Sequence, residues 1–429
     1  MLKDLLFGLQ YRFPNFSKKL FQNGLLLPVL LLWFCHSCNL KDETEPTKPT
    51  LPALMAQKLE DSLRGKDVGY AFTIYEGTEL IAQGSGGFQS RKVDAEGQKN
   101  FTTDTKMHIA SMTKTLTAMA FLKVAQQKGL NTTDRIAKFL PPAWPRGAGI
   151  DQVTFGDLLT NRSGIVGLGN NCQNGSFTEN IYSGLRQLIA KGVTTRGNYC
   201  YQNTNFGLFR VLIPSILGYQ FTGNETTDAA ETEKRYLAFL QQEIFEKAGV
   251  SNATITSPAG NTTYTYNYPL SASQIGWNPG NFSQTLGGYG MYLTTVEAGK
   301  IYAAALSSAV NSVLPNALSD SLLVKNLGCY KATSGIGTYY YHDGWWYSGL
   351  VSTGQGLRTI WMKFPNNITC VLFVNALQWK NSSLIFPFNS GNIVGFMYNA
   401  YAQALQARGM RVGIETEVPP LQIEHPEPH

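Results

Sequence analysis

The chain has 429 residues, 43% hydrophobic and 15% charged, and a formal net charge of +6 at pH 7. That length and apolar content can bury a large core in two closely joined lobes. Lys3, Arg12, Lys18 and Lys19 against Asp4 put +3 of the charge in residues 1–37, and the +3 spread over the remainder gives no case for nucleic-acid binding.

Lys18 and Lys19 precede an apolar run of 11 residues, Gly24 to Phe34, too short to span a bilayer comfortably. Residues 1–37 are therefore expected to be an export signal. Cys38 follows the small Ser37 and precedes a polar stretch, which resembles the lipidated cysteine of a bacterial lipoprotein and implies a lipid-anchored protein of the cell envelope. A simply secreted protein and a retained membrane anchor are the alternatives. Cys35 and Cys38 also form a Cys-x-x-Cys, but a redox or zinc reading does not suit a segment that is inserted and cleaved. Residues 38–53, with Pro46, Pro49 and Pro52 among alternating charges, read as a flexible tether, residues 54–410 as the folded body and residues 411–429 as a flexible tail.

Within the body, Leu54 to Leu63 has helical spacing, and Val68 to Ile81 reads as a hairpin turning at Glu76-Gly77-Thr78. A helix from Ser111 to Lys128 should end at Gly129. From about 130 to 285 the chain reads as helices and long polar loops. After Gly287 it alternates helix and strands (Tyr339 to His342, Leu357 to Lys363, Cys370 to Val374) and closes with an apolar helix, Ile393 to Leu405. Sheet segments at 54–112 and 287–410 around a helical insert at 113–286 give an α/β protein with an all-α subdomain, and the site is expected between the two.

Three short motifs carry chemistry. Ser111-Met112-Thr113-Lys114 stands where a strand-like run, Met107 to Ala110, turns into a helix. Residues three apart on a helix share a face, so the Lys114 amine can reach the Ser111 hydroxyl. A serine hydroxyl needs such a neighbour to take its proton, and lysine serves only where burial or nearby positive charge lowers its pKa. The helix start adds free backbone N–H groups for an oxyanion. The bland reading is a capping serine and a solvated lysine. Tyr201-Gln202-Asn203 lies in a loop leading into an apolar helix, where Tyr201 could equally be a buried aromatic beside Tyr199 and Asn203 a turn residue. His342-Asp343-Gly344 follows the aromatic run Thr338 to Tyr341, and its Asp-Gly could instead mark a hairpin turn. The chain's one Lys-x-Gly, Lys247-Ala248-Gly249, ends an apolar helical segment and reads as a C-terminal cap.

In this order and at these spacings the motifs resemble those of the serine β-lactamase and penicillin-binding-protein superfamily, in particular its class C β-lactamase-like branch, which includes DD-peptidases and esterases. Thr105 to Lys114 looks like that family's nucleophile segment. Val153 to Ile165 looks like its Leu-Leu-Thr-His-x-Ser-Gly helix, with Asn161 in place of the usual histidine, and Gly287 to Glu297 is similar to its glycine-rich return to the sheet. The likeness runs from about residue 54 to 407 and implies a β-lactamase/transpeptidase-like α/β (α+β) fold, an antiparallel sheet flanked by helices plus an all-α subdomain. It further implies that Ser111 attacks a substrate carbonyl, that Lys114 and Tyr201 relay its proton, and that Asn203 orients the substrate amide or Lys114. The N–H groups of Ser111 and Trp345 would form the oxyanion hole, and Gly344 would have to be small so that an edge strand can approach the ligand backbone.

The departure lies at His342, where β-lactamases usually carry a lysine that holds the drug carboxylate. A histidine with a pKa near ~6.5 is mostly neutral at pH 7, which disfavours β-lactams and favours ester, amide or peptide substrates. The resemblance thus implies an exported serine hydrolase working through an acyl-enzyme on a small-molecule or peptide substrate. The alternatives are a β-lactamase or DD-carboxypeptidase proper, and a non-catalytic surface binding protein on the same fold.

No Gly-x-Ser-x-Gly elbow, dinucleotide loop, phosphate loop or His-Glu-x-x-His site occurs, so neither a metal nor a cofactor is implied. His108, just before the nucleophile segment, reads as packing. After signal removal and lipidation of Cys38, Cys172, Cys200, Cys329 and Cys370 remain, which permits Cys172–Cys200 and Cys329–Cys370 disulfides or four free thiols.

Overall fold

The computed structural model describes residues 49–169, 172, 177–251, 253–307, 313–348, 354–380, 383–388 and 391–413. The expected signal, Cys38, most of the tether and the tail from 414 onward lie outside the described residues. Among the described residues, no helix is long and apolar enough to cross a membrane.

Helix α1, Leu51–Leu63, starts inside the stretch expected to be tether: the Thr50 side chain caps it, and Pro52 fits the first turn, where a missing N–H costs nothing. The hairpin follows as β1, Tyr70–Glu76, and β2, Glu79–Gly86, turning at Gly77 with φ +63°. A 3-10 turn, Ala110–Met112, leads into α2, Thr113–Lys128, which ends at Gly129 in the left-handed conformation. The helical insert contributes α3, Phe155–Leu159; α4, Asn203–Gly207; α5, Phe209–Ile216; and α6, Glu225–Leu240. A π stretch and a 3-10 turn extend α6 to Gly249, whose φ of +72° agrees with the expected cap at Lys247-Ala248-Gly249.

Tyr266–Tyr268, inside the stretch expected to be helical, is strand β3 and joins the sheet. After α7, Thr295–Leu306, come β4, Tyr330–Ser334; β5, Gly337–Tyr347; β6, Gly356–Lys363; β7, Ile368–Val374; β8, Ala376–Lys380; and β9, Ser383–Ile385. Helix α8, Ile393–Ala407, closes the body.

The main sheet runs β4-β5-β6-β7-β1-β2, all antiparallel. Strand β3 joins it through Gly356 and Tyr266, and pairs in parallel with β8. Alternation along β7 shows why both faces are covered. Ile368, Cys370, Leu372 and Val374 belong to the core beneath α1 and α8, whereas Val371 and Phe373 belong to the core shared with α2 and α7. From Cys370 to Val374 the strand reads as an unbroken apolar run because neither face meets water. The result is the mixed α/β architecture expected, a sheet flanked by helices.

Candidate active site

The 3-10 turn that carries Ser111 is pinned from two directions. On one side the Ile109 N–H donates to the Met291 carbonyl at 2.9 Å, and on the other the Thr359 hydroxyl of β6 donates to the Ile109 carbonyl at 2.8 Å. Ala110 adopts φ +47°, a left-handed conformation that costs a non-glycine residue roughly 1–2 kcal/mol. That strain is held at the residue preceding Ser111, where the turn must bring a hydroxyl to the mouth of the site. Ser111 is 8% exposed.

Lys114 is fully buried in the first turn of α2. Its Nζ donates to Ser111 Oγ at 2.8 Å, to Asn203 Oδ1 at 2.6 Å and to the Gly288 carbonyl at 2.9 Å, so all three ammonium donors are used. The Tyr201 hydroxyl donates to Ser111 Oγ from the opposite side at 2.7 Å, and the Lys114 ammonium lies 4.5 Å from the Tyr201 ring centre. Ser111 Oγ therefore lies within one hydrogen bond of two groups, one from the helix itself and one from the loop before α4, each of which could take its proton only in its deprotonated form.

The Tyr201 loop is clamped by Asn161. The Asn161 carbonyl accepts from Cys200 N at 2.7 Å, and its side-chain oxygen accepts from Gln202 N at 3.2 Å and Asn205 Nδ2 at 3.0 Å. Asn161 thus holds the residue on each side of Tyr201. It does so in a left-handed conformation, φ +54°, which asparagine tolerates better than most residues. The Ser163 hydroxyl completes the clamp by donating to Asn205 Oδ1 at 2.7 Å. Cys172 and Cys200 are disulfide-bonded, tying the same loop a second time. Cys329 and Cys370 are buried free thiols; the second expected disulfide is absent because β5 and β6 stand between β4, which follows Cys329, and β7, which holds Cys370.

Strand β5 runs straight through His342-Asp343-Gly344, so the hairpin-turn alternative fails there. Strand β4 pairs only with residues 337–341 of β5, and β6 pairs with 340–347. Alternation sorts the motif onto two faces. On one face lie His342, Gly344 and Trp346, the last against Tyr289 at 4.6 Å between ring centres. On the other, Asp343 is paired with Arg358, whose guanidinium sits 5.0 Å from the Trp345 ring centre. A Cβ on Gly344 would stand 2.6 Å from Thr359 Oγ1, 2.7 Å from the Ile109 carbonyl and 2.9 Å from the Ala110 Cβ. Its missing side chain lets β5 press against the turn that carries Ser111.

His342 is 2% exposed, and its Nδ1 lies 2.6 Å from the Asp343 carbonyl. A carbonyl only accepts, so Nδ1 carries the proton and Nε2 presents a lone pair. Burial, reinforced by the Lys114 charge, pushes the His342 pKa down to about 3. At neutral pH the side chain is uncharged. His108, expected to be packing, stacks on Phe282 at 4.0 Å between ring centres and accepts from Gly290 N at 3.1 Å.

The structure brings Ser111, Lys114, Tyr201 and Asn203 into one hydrogen-bonded cluster, places His342 where the Lys114 charge reaches it, and lays the Gly344–Trp345 backbone beside the turn that carries Ser111. Two contributors escaped sequence reasoning: the Gly288 carbonyl that takes a Lys114 proton donor, and the Asn161 clamp. The signal for the first was the Gly287-Gly288 pair. A Cβ on Gly288 would lie 2.7 Å from the Asn203 carbonyl, so only glycine brings that carbonyl beneath Lys114. Among the described residues, no cluster of His, Cys, Asp and Glu side chains could hold a metal ion.

The family model described as Beta-lactamase matches residues 53–385. A candidate penicillin-binding protein of Bacillus subtilis (strain 168), PbpX, is 24% identical over 200 residues, which are 46% of this chain and 44% of that protein, so the chain spans less than half the length of this curated relative. Among solved structures, a beta-lactamase/D-alanine carboxypeptidase from Yersinia pestis, complexed with citrate, superposes with a TM-score of 0.60 at 17% identity, covering 82% of this chain and 99% of the other. A D-amino acid amidase from Ochrobactrum anthropi SV3, complexed with L-phenylalanine, gives a TM-score of 0.61 at 15% identity, covering 84% and 99%. At these identities the two structures show a shared fold.

Proposed function

Because this chain belongs to the beta-lactamase family of serine hydrolases, we propose that it cleaves an ester, amide or peptide through an acyl-enzyme on Ser111. The observation that carries this reading is the convergence of Lys114 Nζ and the Tyr201 hydroxyl on Ser111 Oγ, at 2.8 and 2.7 Å. In the first half-reaction, Ser111 Oγ bonds to the substrate carbonyl carbon while its proton passes to whichever of Lys114, as the neutral amine, or Tyr201, as the phenolate, has first given up its own proton. The tetrahedral adduct then collapses, breaking the bond to the leaving oxygen or nitrogen, which takes a proton through Tyr201. Water repeats the sequence on the acyl-enzyme and frees Ser111. Asn203 holds Lys114 on its mark, and the Ser111 and Trp345 N–H groups receive the oxyanion, the closeness of Gly344 to Ile109 and Ala110 supporting that pairing. Replacing Ser111 with Ala should abolish labelling by a fluorophosphonate or penicillin probe; persistent labelling at another residue would remove Ser111 from the role.

Neutral His342 supplies no fixed charge for a drug carboxylate, which favours simple esters, amides or D-amino-acid peptides over β-lactams. The likeness to a protein described as a beta-lactamase/D-alanine carboxypeptidase supports the second reading, a β-lactamase or carboxypeptidase proper. Parallel turnover of p-nitrophenyl acetate, nitrocefin and a D-Ala-D-Ala peptide separates them. Inertness to all three favours a binding protein on the same fold. We also place the protein in the bacterial envelope, on the strength of the apolar run before Cys38, with the Cys172–Cys200 bond in support. Fractionation of cells expressing the full chain tests this, and a cytoplasmic location would contradict it.

A further inference from the structure

The Gly288 carbonyl meets Lys114 from a stretch with no side chains of its own to anchor it, since Gly287 and Gly288 are neighbours in the chain. Glycine is the freest of residues, so other groups must hold the stretch in place. Three consecutive carbonyls receive donors there. Leu286 accepts from Arg210 Nη1 at 3.2 Å, Gly287 from the Thr117 hydroxyl at 2.7 Å and Gly288 from Lys114 Nζ at 2.9 Å. The stretch also presses against α4: a Cβ on Gly287, whose φ is +120°, would stand 2.3 Å from the Phe206 carbonyl.

Thr117 and Arg210 reach this stretch from the interior. Thr117 follows Lys114 by one turn of α2, which puts its hydroxyl and the ammonium on one face of the helix. Its single proton goes to the Gly287 carbonyl, so the Tyr236 hydroxyl of α6, 2.7 Å away, donates to Thr117. Arg210 on α5 is 1% exposed, and its Nη2 donates to the Asn180 carbonyl at 2.8 Å. Burial pushes its pKa down to about 10, which leaves the guanidinium charged at neutral pH. Among the described residues Arg210 is in no ion pair. The opposite charge that acts on it is Glu233 of α6, whose carboxylate accepts from Gln284 N on the same stretch. A buried cation without a paired carboxylate is costly to keep. What this guanidinium accomplishes is a bridge between the Leu286 and Asn180 carbonyls.

We infer that Thr117 and Arg210 are positioning residues for the reaction at Ser111: they fix residues 286–288 so that the Gly288 carbonyl holds Lys114 Nζ on Ser111 Oγ. The inference rests on the serine-hydrolase reading and adds two residues to it, both acting through Lys114 rather than on the substrate. A shift of the Gly288 carbonyl moves one of the three acceptors that fix the ammonium, and small misplacements of a reacting group are expensive in rate.

The rate at which a fluorophosphonate labels Ser111 tests this without knowledge of the natural substrate, and its saturation separates the maximal labelling rate from the half-saturating probe concentration. Thr117→Val keeps the shape of the side chain and removes its hydroxyl. The maximal rate should fall about tenfold while the half-saturating concentration stays within about twofold. Thr117→Ser returns the hydroxyl and should recover most of the loss. Arg210→Gln should slow labelling by a similar factor, and the double variant Thr117→Val/Arg210→Gln should lose little more than the worse single one, because both act on one stretch of backbone. Asn392→Ala removes the cap of α8, away from the site, and serves as the stability control: its Tm should fall while its labelling stays at the wild-type rate. An unchanged rate in Thr117→Val, no recovery in Thr117→Ser, multiplying losses in the double variant, or equal slowing in Asn392→Ala overturns the inference. Should melting curves show that Arg210→Gln is unfolded, the two Thr117 variants decide alone. Labelling that survives Ser111→Ala, or no labelling of the wild type, overturns the serine-hydrolase reading instead, so the two failures are distinguishable.

Discussion

The buried imidazole of His342 makes a quantitative prediction about acid stability. Its pKa is about 3 in the folded protein against 6.5 as the ordinary value, because burial and the Lys114 charge both oppose protonation. Between those two values the unfolded chain binds a proton that the folded chain refuses, so stability falls as pH falls through 6.5 and the contribution is whole only above it. Each unit of difference is about 1.4 kcal/mol, so His342 alone should remove about 2 kcal/mol by pH 5 and on the order of 5 kcal/mol by pH 3. Replacing His342 with Gln keeps a side chain able to donate to the Asp343 carbonyl and removes the titration. Urea unfolding of both proteins at pH 7 and pH 5 should therefore show a pH-induced loss about 2 kcal/mol larger in the wild type than in the variant. Equal losses in the two proteins, or an imidazole found by NMR to protonate near pH 6, would refute the reasoning. The same neutrality predicts that no acid limb of the activity profile between pH 5 and 7 arises from His342.

Other consequences concern the supports of the site. Asn161→Ala leaves the Gln202 N–H and the Asn205 amide without their shared acceptor, which should cost about 1–3 kcal/mol in chemical unfolding and lower kcat more than KM as Tyr201 loses its fixed place. Retained kcat would show that the disulfide alone positions the loop. Cys172→Ser opens a loop closed over 28 residues and should cost about 3 kcal/mol, read as a lowered Tm that reductant reproduces in the wild type. Intact mass should correspond to one disulfide, with two thiols alkylated only after denaturation. Gly344→Ala puts a methyl 2.7 Å from the Ile109 carbonyl, so it should destabilise by about 1–3 kcal/mol and slow acylation by displacing the Ser111 turn. Unchanged acylation in a stably folded variant would show that the turn yields without consequence.

Much of the fold was legible locally. The hairpin at Gly77, the cap at Gly129 and the cap at Gly249 follow from glycine's freedom at positive φ, and strand β7 from the apolar run Cys370 to Val374. Misreadings occurred where local signals were ambiguous. Prolines at 49 and 52 suggested a tether, yet one lies in the first turn of α1. At Asp343-Gly344 the turn was only the alternative, and the chain continues a strand because β6 and the Ser111 turn hold both sides of it. Tyr266–Tyr268 is too short to announce itself and becomes a strand by pairing with Ala376–Gln378 and Gly356.

Residue types and order alone determined the chemistry to look for: a serine and a lysine one helical turn apart share a face of any helix, so their encounter is a property of short-range geometry. What they meet is a matter of long-range packing. Asn203 and Gly288 reach the same ammonium from 89 and 174 residues away, Asn161 grips the backbone flanking Tyr201, and burial silences His342. None of these can be read from neighbours in the chain, because hydrogen bonds and desolvation depend on which distant surfaces the fold presses together.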